Sequence, residues 1–343
     1  MQLPEMRTNL FAATAVGAQP LGTTTTTGMW LQQAADHCRN LSRVWGRMGL
    51  RFAAGLLENT QIPVAIINQA SGGQSIDYFR ANTNDINDLT TNYGQLLTRL
   101  ENGGLADNIR GLLWYQGEND RTDNQAHFDE FPALFYQWQI QYPSVDQYYV
   151  FQIRHTCVPL DAEFGQGSQI SNFQREFANA RENVTPVSTT GLDAHDGCHF
   201  QYENGYQQMG DNIAHIVRSE LYGENLDNAA AADIVTASQI DEITLGLTFA
   251  NGNTLVADDG FEVLFELRDS NDNAYNITAG AVQNGTVVEL TVDRPIEAGD
   301  DLFLSYLSLP GDRNWLTNSA GIGILSFLDF PVALSQGTVL RRR

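Results

Sequence analysis

The chain has 343 residues, 42% of them hydrophobic, and carries 19 basic against 41 acidic side chains for a formal net charge of −22. That length exceeds one typical domain and that apolar content is ample for packed cores, whereas so acidic a surface repels nucleic-acid phosphates and argues against DNA or RNA as a partner. No apolar run approaches the length of a bilayer-crossing helix, which argues against a membrane-embedded role.

Lysine is absent and every basic residue is arginine. A lysine-free acidic surface fits a salty or extracellular setting, where carboxylates favour solubility, and it fits a compositional bias of the genome equally well. Glu5 and Arg7 interrupt any apolar core behind Met1, so no signal peptide is visible. Three cysteines are too few for a disulfide framework and leave at least one unpaired.

In chain order, Met1 to Thr27, with Ala15-Val16-Gly17 and the threonines Thr23 to Thr27, does not read as a strand. Leu31 to Asn59 has apolar residues at helical spacing. Val64-Ala65-Ile66-Ile67-Asn68 is short and β-branched, bounded by Pro63 and by Ser71-Gly72-Gly73, and predicts a buried strand ending in a tight turn with unshielded backbone N–H groups. Ile109 to Tyr115 predicts a second strand, after which Gln116-Gly117-Glu118-Asn119-Asp120 crowds polar side chains at the carboxyl end, the edge where open parallel sheets bind ligands. Phe128 to Gln141 predicts a helix whose Phe131, Leu134, Phe135 and Trp138 form a core stripe. A strand over Tyr148 to Ile153, a helix over Ile170 to Asn183, a short strand beginning at Val187 and a helix over Tyr206 to Leu221 complete an alternating α/β pattern across residues 1–222.

Beyond Tyr222 the texture changes. An Asn-, Asp- and Ala-rich stretch reads as a linker over 223–236, and period-two runs then dominate 237–343: Ile243 to Phe249, Phe261 to Leu267, Val287 to Val292 and Leu302 to Leu307. Asn251-Gly252 and Asn284-Gly285 punctuate them, which predicts a C-terminal β-sandwich.

Asp196-Gly197-Cys198-His199 has the spacing of hydrolytic chemistry. An Asp three residues before a His can reach back to one ring nitrogen and leave the other free to take a proton from a serine hydroxyl. A solvated loop carries the same quartet, the paired glycines also suit a plain turn, and Gln116 with Glu118 also suits a buried hydrogen-bond pair. His195, Cys198 and His199 are crowded together without the second ligand pair that a metal site needs. Cys157 and Cys198 both fall at the same sheet edge, where a disulfide would pin the loop bearing His199 if the protein is exported; two unpaired thiols are the competing reading, and Cys38 reads as a buried helix residue.

The series Asn68-Gln69-Ala70-Ser71-Gly72-Gly73-Gln74-Ser75-Ile76, Trp114-Tyr115-Gln116-Gly117-Glu118-Asn119-Asp120 and Asp196-Gly197-Cys198-His199 resembles the carbohydrate esterases of the sialate O-acetylesterase type, in the SGNH hydrolase superfamily, over roughly residues 30 to 220. The resemblance implies a three-layer α/β fold on a flavodoxin-like parallel sheet of order 2-1-3-4-5. It implies a carbohydrate O-acetylesterase acting on an acetylated carbohydrate, with no metal or organic cofactor, and located as a secreted, periplasmic or cell-surface protein. His199 takes the place of the general base and Asp196 of its orienting partner; a backbone N–H of Gly72 or Gly73 and the Gln116 side chain take those of oxyanion donors. Asn119 fills the asparagine place of the G-x-N-D pattern, and Glu118 reads as a brace of the loop. The W-x-Q-G-E-x-D element speaks against the lipase and thioesterase branches. Trp315 to Gly321 resembles an asparagine-containing stretch of the family's C-terminal β domains, for which docking is expected ahead of sugar binding through Trp315.

One element of the family is missing. Its nucleophile lies in a G-Q-S-N segment on the first strand, and here the earliest serine is Ser42. Gly73-Gln74-Ser75 belongs to the G-G-x-x-I turn instead, so Ser75 is a fallback nucleophile, ahead of Ser71. A sheet without its first strand would carry unpaired edges at its centre. The chain therefore reads as N-terminally incomplete and lacking that strand, or as a non-catalytic, carbohydrate-binding descendant of the esterases.

Overall fold

A five-stranded parallel sheet organises the N-terminal region. The structure, a computed structural model, describes residues 9–14, 47–154, 165–297, 301–307 and 314–334. The strands are β1 (Asn9–Thr14), β2 (Val64–Asn68), β3 (Ile109–Trp114), β4 (Gln147–Phe151) and β5 (Val184–Val187), in the spatial order β2-β1-β3-β4-β5.

The expectation of a missing first strand is thereby corrected. β1 sits between β2 and β3, with Asn9 opposite Val64 and Ala13 opposite Asn68 on one side, and Phe11 opposite Gly111 and Thr14 opposite Trp114 on the other. A strand hydrogen-bonded on both sides of a parallel sheet needs a short apolar run, not alternation. Leu10-Phe11-Ala12-Ala13 supplies one, but its alanines have little β-propensity, which hides it in the sequence.

The helices are α1 (Arg47–Thr60), α2 (Asn92–Asn102), α3 (Asn124–Gln141), α4 (Gly165–Asn179) and α5 (Gln207–Tyr222). The first part of the helix expected over 31–59 lies outside the described residues. α2 was not anticipated; the Thr91 hydroxyl caps it by accepting from the Gly94 N–H at 3.0 Å. The strand expected to start at Val187 ends there instead, because α4 stops at Asn179 and leaves room for β5.

Both faces of the sheet are buried, and successive residues serve opposite layers. Leu113, Tyr149 and Phe151 face α1 and α5, packing with Phe52, Leu56, Met209, Ile213 and Val217. Leu112, Trp114, Tyr148 and Val150 face the other layer, with Leu97, Phe131, Phe135, Trp138 and Phe177. Each such fully buried side chain contributes about 1.5–3 kcal/mol relative to exposure. α1 and α5 approach closely at Gly210, where a Cβ would stand 2.8 Å from the Met48 carbonyl oxygen.

From Ile234 the described chain is antiparallel β. β6 (Ile234–Gln239), β7 (Thr244–Phe249), β11 (Ile277–Gln283) and β12 (Val287–Val292) form one four-stranded sheet. β9 (Phe265–Asp269), β10 (Ala274–Tyr275), β13 (Leu302–Tyr306) and β15 (Phe327–Pro331) form another, and β8 (Leu255–Ala257) pairs with β14 (Leu316–Asn318). Leu245, Leu247, Val288 and Leu290 of the first sheet share one core with Phe265, Leu267, Leu304, Tyr306 and Phe327 of the second. Asn284 and Gly285 both adopt positive φ, 51° and 71°, as the tight turn between β11 and β12 demands.

The segment read as a linker is tied down. Asp233 accepts from Arg175 and Asn179 of α4, and the carbonyls of Asn228 and Ala230 accept from the buried Asn318 amide. Native-state hydrogen exchange tests the corrected sheet: the backbone amides of Leu10 to Ala13 should exchange as slowly as those of Leu112 and Leu113, and exchange at the rate of a loop would contradict a central β1.

Candidate active site

Every candidate residue lies on a loop leaving the carboxyl edge of this sheet. After β2 the chain turns at Gly72 and Gly73, both exposed, with Gly73 at φ +73°. Among the described residues no acceptor engages either glycine N–H, and a Cβ at Gly73 would meet no atom within 4 Å, so the turn faces open space. Ile76 anchors it by burying its side chain completely.

A buried carboxylate fastens this turn to the loop after β3. Asp120, 4% exposed, accepts from the Ile76 N–H at 2.9 Å through Oδ1, and from Gln116 Nε2 and His127 Nδ1 at 2.8 Å each through Oδ2. His127 Nδ1 thus shares Oδ2 of Asp120 with the Gln116 amide. Gln116 Nε2 donates a second time, to the Gln74 carbonyl at 3.2 Å. Both amide hydrogens of Gln116 are thus committed within the network.

Gly117 sets the course of the same loop. Its φ is +137°, and a Cβ would stand 3.0 Å from Ile170 Cγ2 and 3.2 Å from Ile153 Cγ2. The chain then presents Glu118, half-buried, and Asn119, exposed. The Glu118 carboxyl accepts from the Tyr115 hydroxyl. Burial pushes it above the ordinary carboxylate range, and the Tyr115 hydroxyl and His199 offset only part of that. Burial also pushes the Tyr206 phenol up to about 12, so it stays protonated.

The third loop, after β5, holds Asp196 and His199. Asp196 Oδ1 accepts from the His199 N–H at 2.7 Å and from the Cys198 N–H at 3.0 Å, and Oδ2 stands 3.5 Å from His199 Nδ1. The two backbone donors, His199 first, hold the Asp196 carboxyl below the usual carboxylate range. Gly197, at φ +100°, permits the turn. The Asp196 and His199 side chains are 64% and 62% exposed. Cys198 is disulfide-bonded. Cys157, its expected partner, and Cys38 lie outside the described residues.

Contacts join the glycine turn to Gln116 and Asp120 of the loop after β3, and within the loop after β5 they join His199 to Asp196. Neither Ser71 nor Ser75 hydrogen-bonds His199 among the described residues; Ser75 instead precedes a short helical turn, its carbonyl accepting from the Tyr78 N–H at 3.1 Å. Sequence reasoning missed His127, Tyr115 and Tyr206. The polar Asp120 seven residues before His127, just where a helix starts, is the one signal that pointed to their pairing. No group of three or more His, Cys, Asp or Glu suited to a metal ion occurs among the described residues.

Residues 31–219 match the family described as carbohydrate esterase, sialic acid-specific acetylesterase. No curated protein matches the chain. Among solved structures, a carbohydrate acetylesterase from Xanthomonas citri is similar at 18% identity, with a TM-score of 0.66 over 93% of this chain and 80% of that one, a likeness of fold. An acetylxylan esterase from Geobacillus stearothermophilus is similar at 13% identity, covering 62% of this chain and 95% of that one with a TM-score of 0.38.

Two outcomes test the site's construction. Asp120→Ala leaves three buried donors without their acceptor and should lower stability by about 3 kcal/mol or more, read by denaturant unfolding; a loss below about 1 kcal/mol would contradict the network's role. Because the fold raises the Glu118 carboxyl above its unfolded value, the native state binds the proton more tightly, and stability falls as pH rises from the ordinary glutamate range through the raised one. Glu118→Gln removes that dependence, so its melting temperature should gain on the wild type as pH rises across this window, and a constant difference would contradict the assignment.

Proposed function

The chain belongs to the carbohydrate esterase, sialic acid-specific acetylesterase family, and on that premise we propose that it is a carbohydrate O-acetylesterase that removes acetyl esters from sugar hydroxyls. The observation that carries the proposal is the Asp196–His199 pair on the loop after β5, at the same carboxyl edge of the sheet as the glycine turn after β2. Asp196 fixes the ring through Nδ1, leaving Nε2 as the base. An attacking hydroxyl passes its proton to Nε2 as its oxygen bonds the acetyl carbon, and the developing oxyanion takes N–H groups from Gly72 or Gly73 and the Asn119 amide. Collapse releases the sugar oxygen, which takes the proton back from His199; water then repeats the sequence and acetate leaves. Gln116 serves this reading as a positioning residue, since its amide is spent on Gln74 and Asp120.

The family carries its nucleophilic serine on the first strand, which here is β1. The absence of serine from Asn9–Thr14 also favours a second reading, a non-catalytic carbohydrate-binding relative. We read 1–222 as the hydrolase unit and 237–343 as a β-sandwich joined to it through 223–236. The disulfide at Cys198 fits export to a secreted, periplasmic or cell-surface location. No described helix is long and apolar enough to cross a membrane.

Release of chromophore from an aryl acetate, and of acetate from an acetylated sugar, tests these readings. The wild-type chain should hydrolyse both, Asn119→Ala should lower kcat by about a hundredfold and His199→Ala by more. Ser75→Ala should retain turnover. Wild-type turnover indistinguishable from His199→Ala, with acetylated sugar still bound, would establish the binding protein instead.

A further inference from the structure

The loop that carries Asp196 and His199 begins inside the contact between the parallel sheet and the C-terminal β region. Directly after β5, the Ser188 and Thr190 hydroxyls both donate to the Ile324 carbonyl. Gly191, at φ +82°, lies against Gly323, where a Cβ would stand 2.3 Å from the Thr190 carbonyl oxygen. Beside them, Gln152 at the end of β4 exchanges two hydrogen bonds of 2.9 Å with the backbone of Ser326. Leu192 is fully buried, and the next residue, Asp193, accepts from the Trp315 indole N–H at 2.6 Å.

Trp315 is itself rigid. It is 4% exposed, its N–H donates to Asp258 Oδ2 at 2.9 Å, and its carbonyl accepts from the Asp258 N–H at 2.9 Å. Beyond Asp193 the chain closes a small hairpin: the Asp193 carbonyl accepts from the His195 N–H at 3.1 Å, His195 pairs with Phe200, and the Gln201 N–H donates to the Ala194 carbonyl at 2.7 Å. Asp196 and His199 stand at its tip with most of their side-chain surface in solvent, so they have little packing of their own. The hairpin is held at its tip by the disulfide at Cys198 and at its base by Asp193, which meets Trp315.

From this geometry we infer that Trp315 is a positioning residue for the esterase reaction: its indole N–H, through Asp193, aims the His199 hairpin, so the C-terminal β region is part of the catalytic apparatus. This rests on the proposed acetylesterase activity. A hydrogen bond that sets the angle of a hairpin acts on the reaction through the displacement of its tip, and a misplacement near 1 Å costs about a hundredfold in rate. It acts on kcat and not on sugar contacts, because Trp315 is buried away from solvent.

The test uses the full chain with Trp315→Phe, which keeps an aromatic ring and removes the indole N–H with its pyrrole portion, alongside Asp193→Ala and Asp193→Asn. With an aryl acetate, Trp315→Phe and Asp193→Ala should each lower kcat by about ten- to a hundredfold at nearly unchanged KM. Asp193→Asn, which retains an acceptor oxygen, should keep most of the rate, and the Trp315→Phe/Asp193→Ala double variant should be no slower than the slower single one. Wild-type kcat in the folded single variants, or losses that multiply in the double variant, would overturn the inference. Asp193 is exposed, so its variants report even if Trp315→Phe does not fold. If the wild type proves inactive, the acetylesterase reading fails by itself, and the His199 imidazole resonance decides the coupling: it should shift in Trp315→Phe and Asp193→Ala while that of His127 does not, and an unmoved His199 resonance overturns it.

Discussion

One buried carboxylate joins the parts of this site. Asp120 collects the Ile76 N–H, the Gln116 amide and the His127 imidazole in a place nearly closed to water, where each lost partner leaves a desolvated group unpaired. Through Ile76 it sets the glycine turn after β2, and through Gln116 it sets the course of the loop after β3. Donors aimed at an oxyanion work only if they are already oriented when charge develops. In the proposed reaction the orientation of the glycine turn and of the Asn119 loop would therefore depend on Asp120.

The loop after β5 is built on a different principle. Its acid–base pair is exposed and held by its own backbone, with Asp196 accepting from the N–H groups of Cys198 and His199. Such a turn fixes the pair's internal geometry but not where the turn points. That direction comes from outside: Ile324, Gly323 and Trp315 at the base, Glu118 on the sheet side, and the disulfide at Cys198.

Much of this was legible in the sequence, and the failures have physical causes. β3 and β4 are visible because Leu112, Leu113, Trp114, Tyr148, Tyr149 and Val150 form unbroken apolar runs buried on both faces. β1 is invisible for the opposite reason, since two alanines suffice where flanking strands supply the pairing. Asp196 and His199 are legible because their bond is local. Gln116 carries the right residue type for an oxyanion donor, but which way its amide turns depends on Asp120 and Gln74, and Gln74 lies 42 residues away. The Trp315–Asp193 hydrogen bond spans 122 positions and has no local signature at all.

The central claim is that the glycine turn, Asn119 and His199 surround a single reacting carbonyl. A crystal structure of the chain treated with a fluorophosphonate, whose phosphorus mimics the tetrahedral carbon of ester cleavage, tests it most directly. The account predicts a phosphoryl oxygen about 3 Å from the N–H of Gly72 or Gly73 and from the Asn119 amide, with His199 Nε2 in reach of the bonded hydroxyl oxygen. A phosphonyl group attached at a residue remote from these loops, with the glycine turn and His199 opening to separate surfaces, would contradict it.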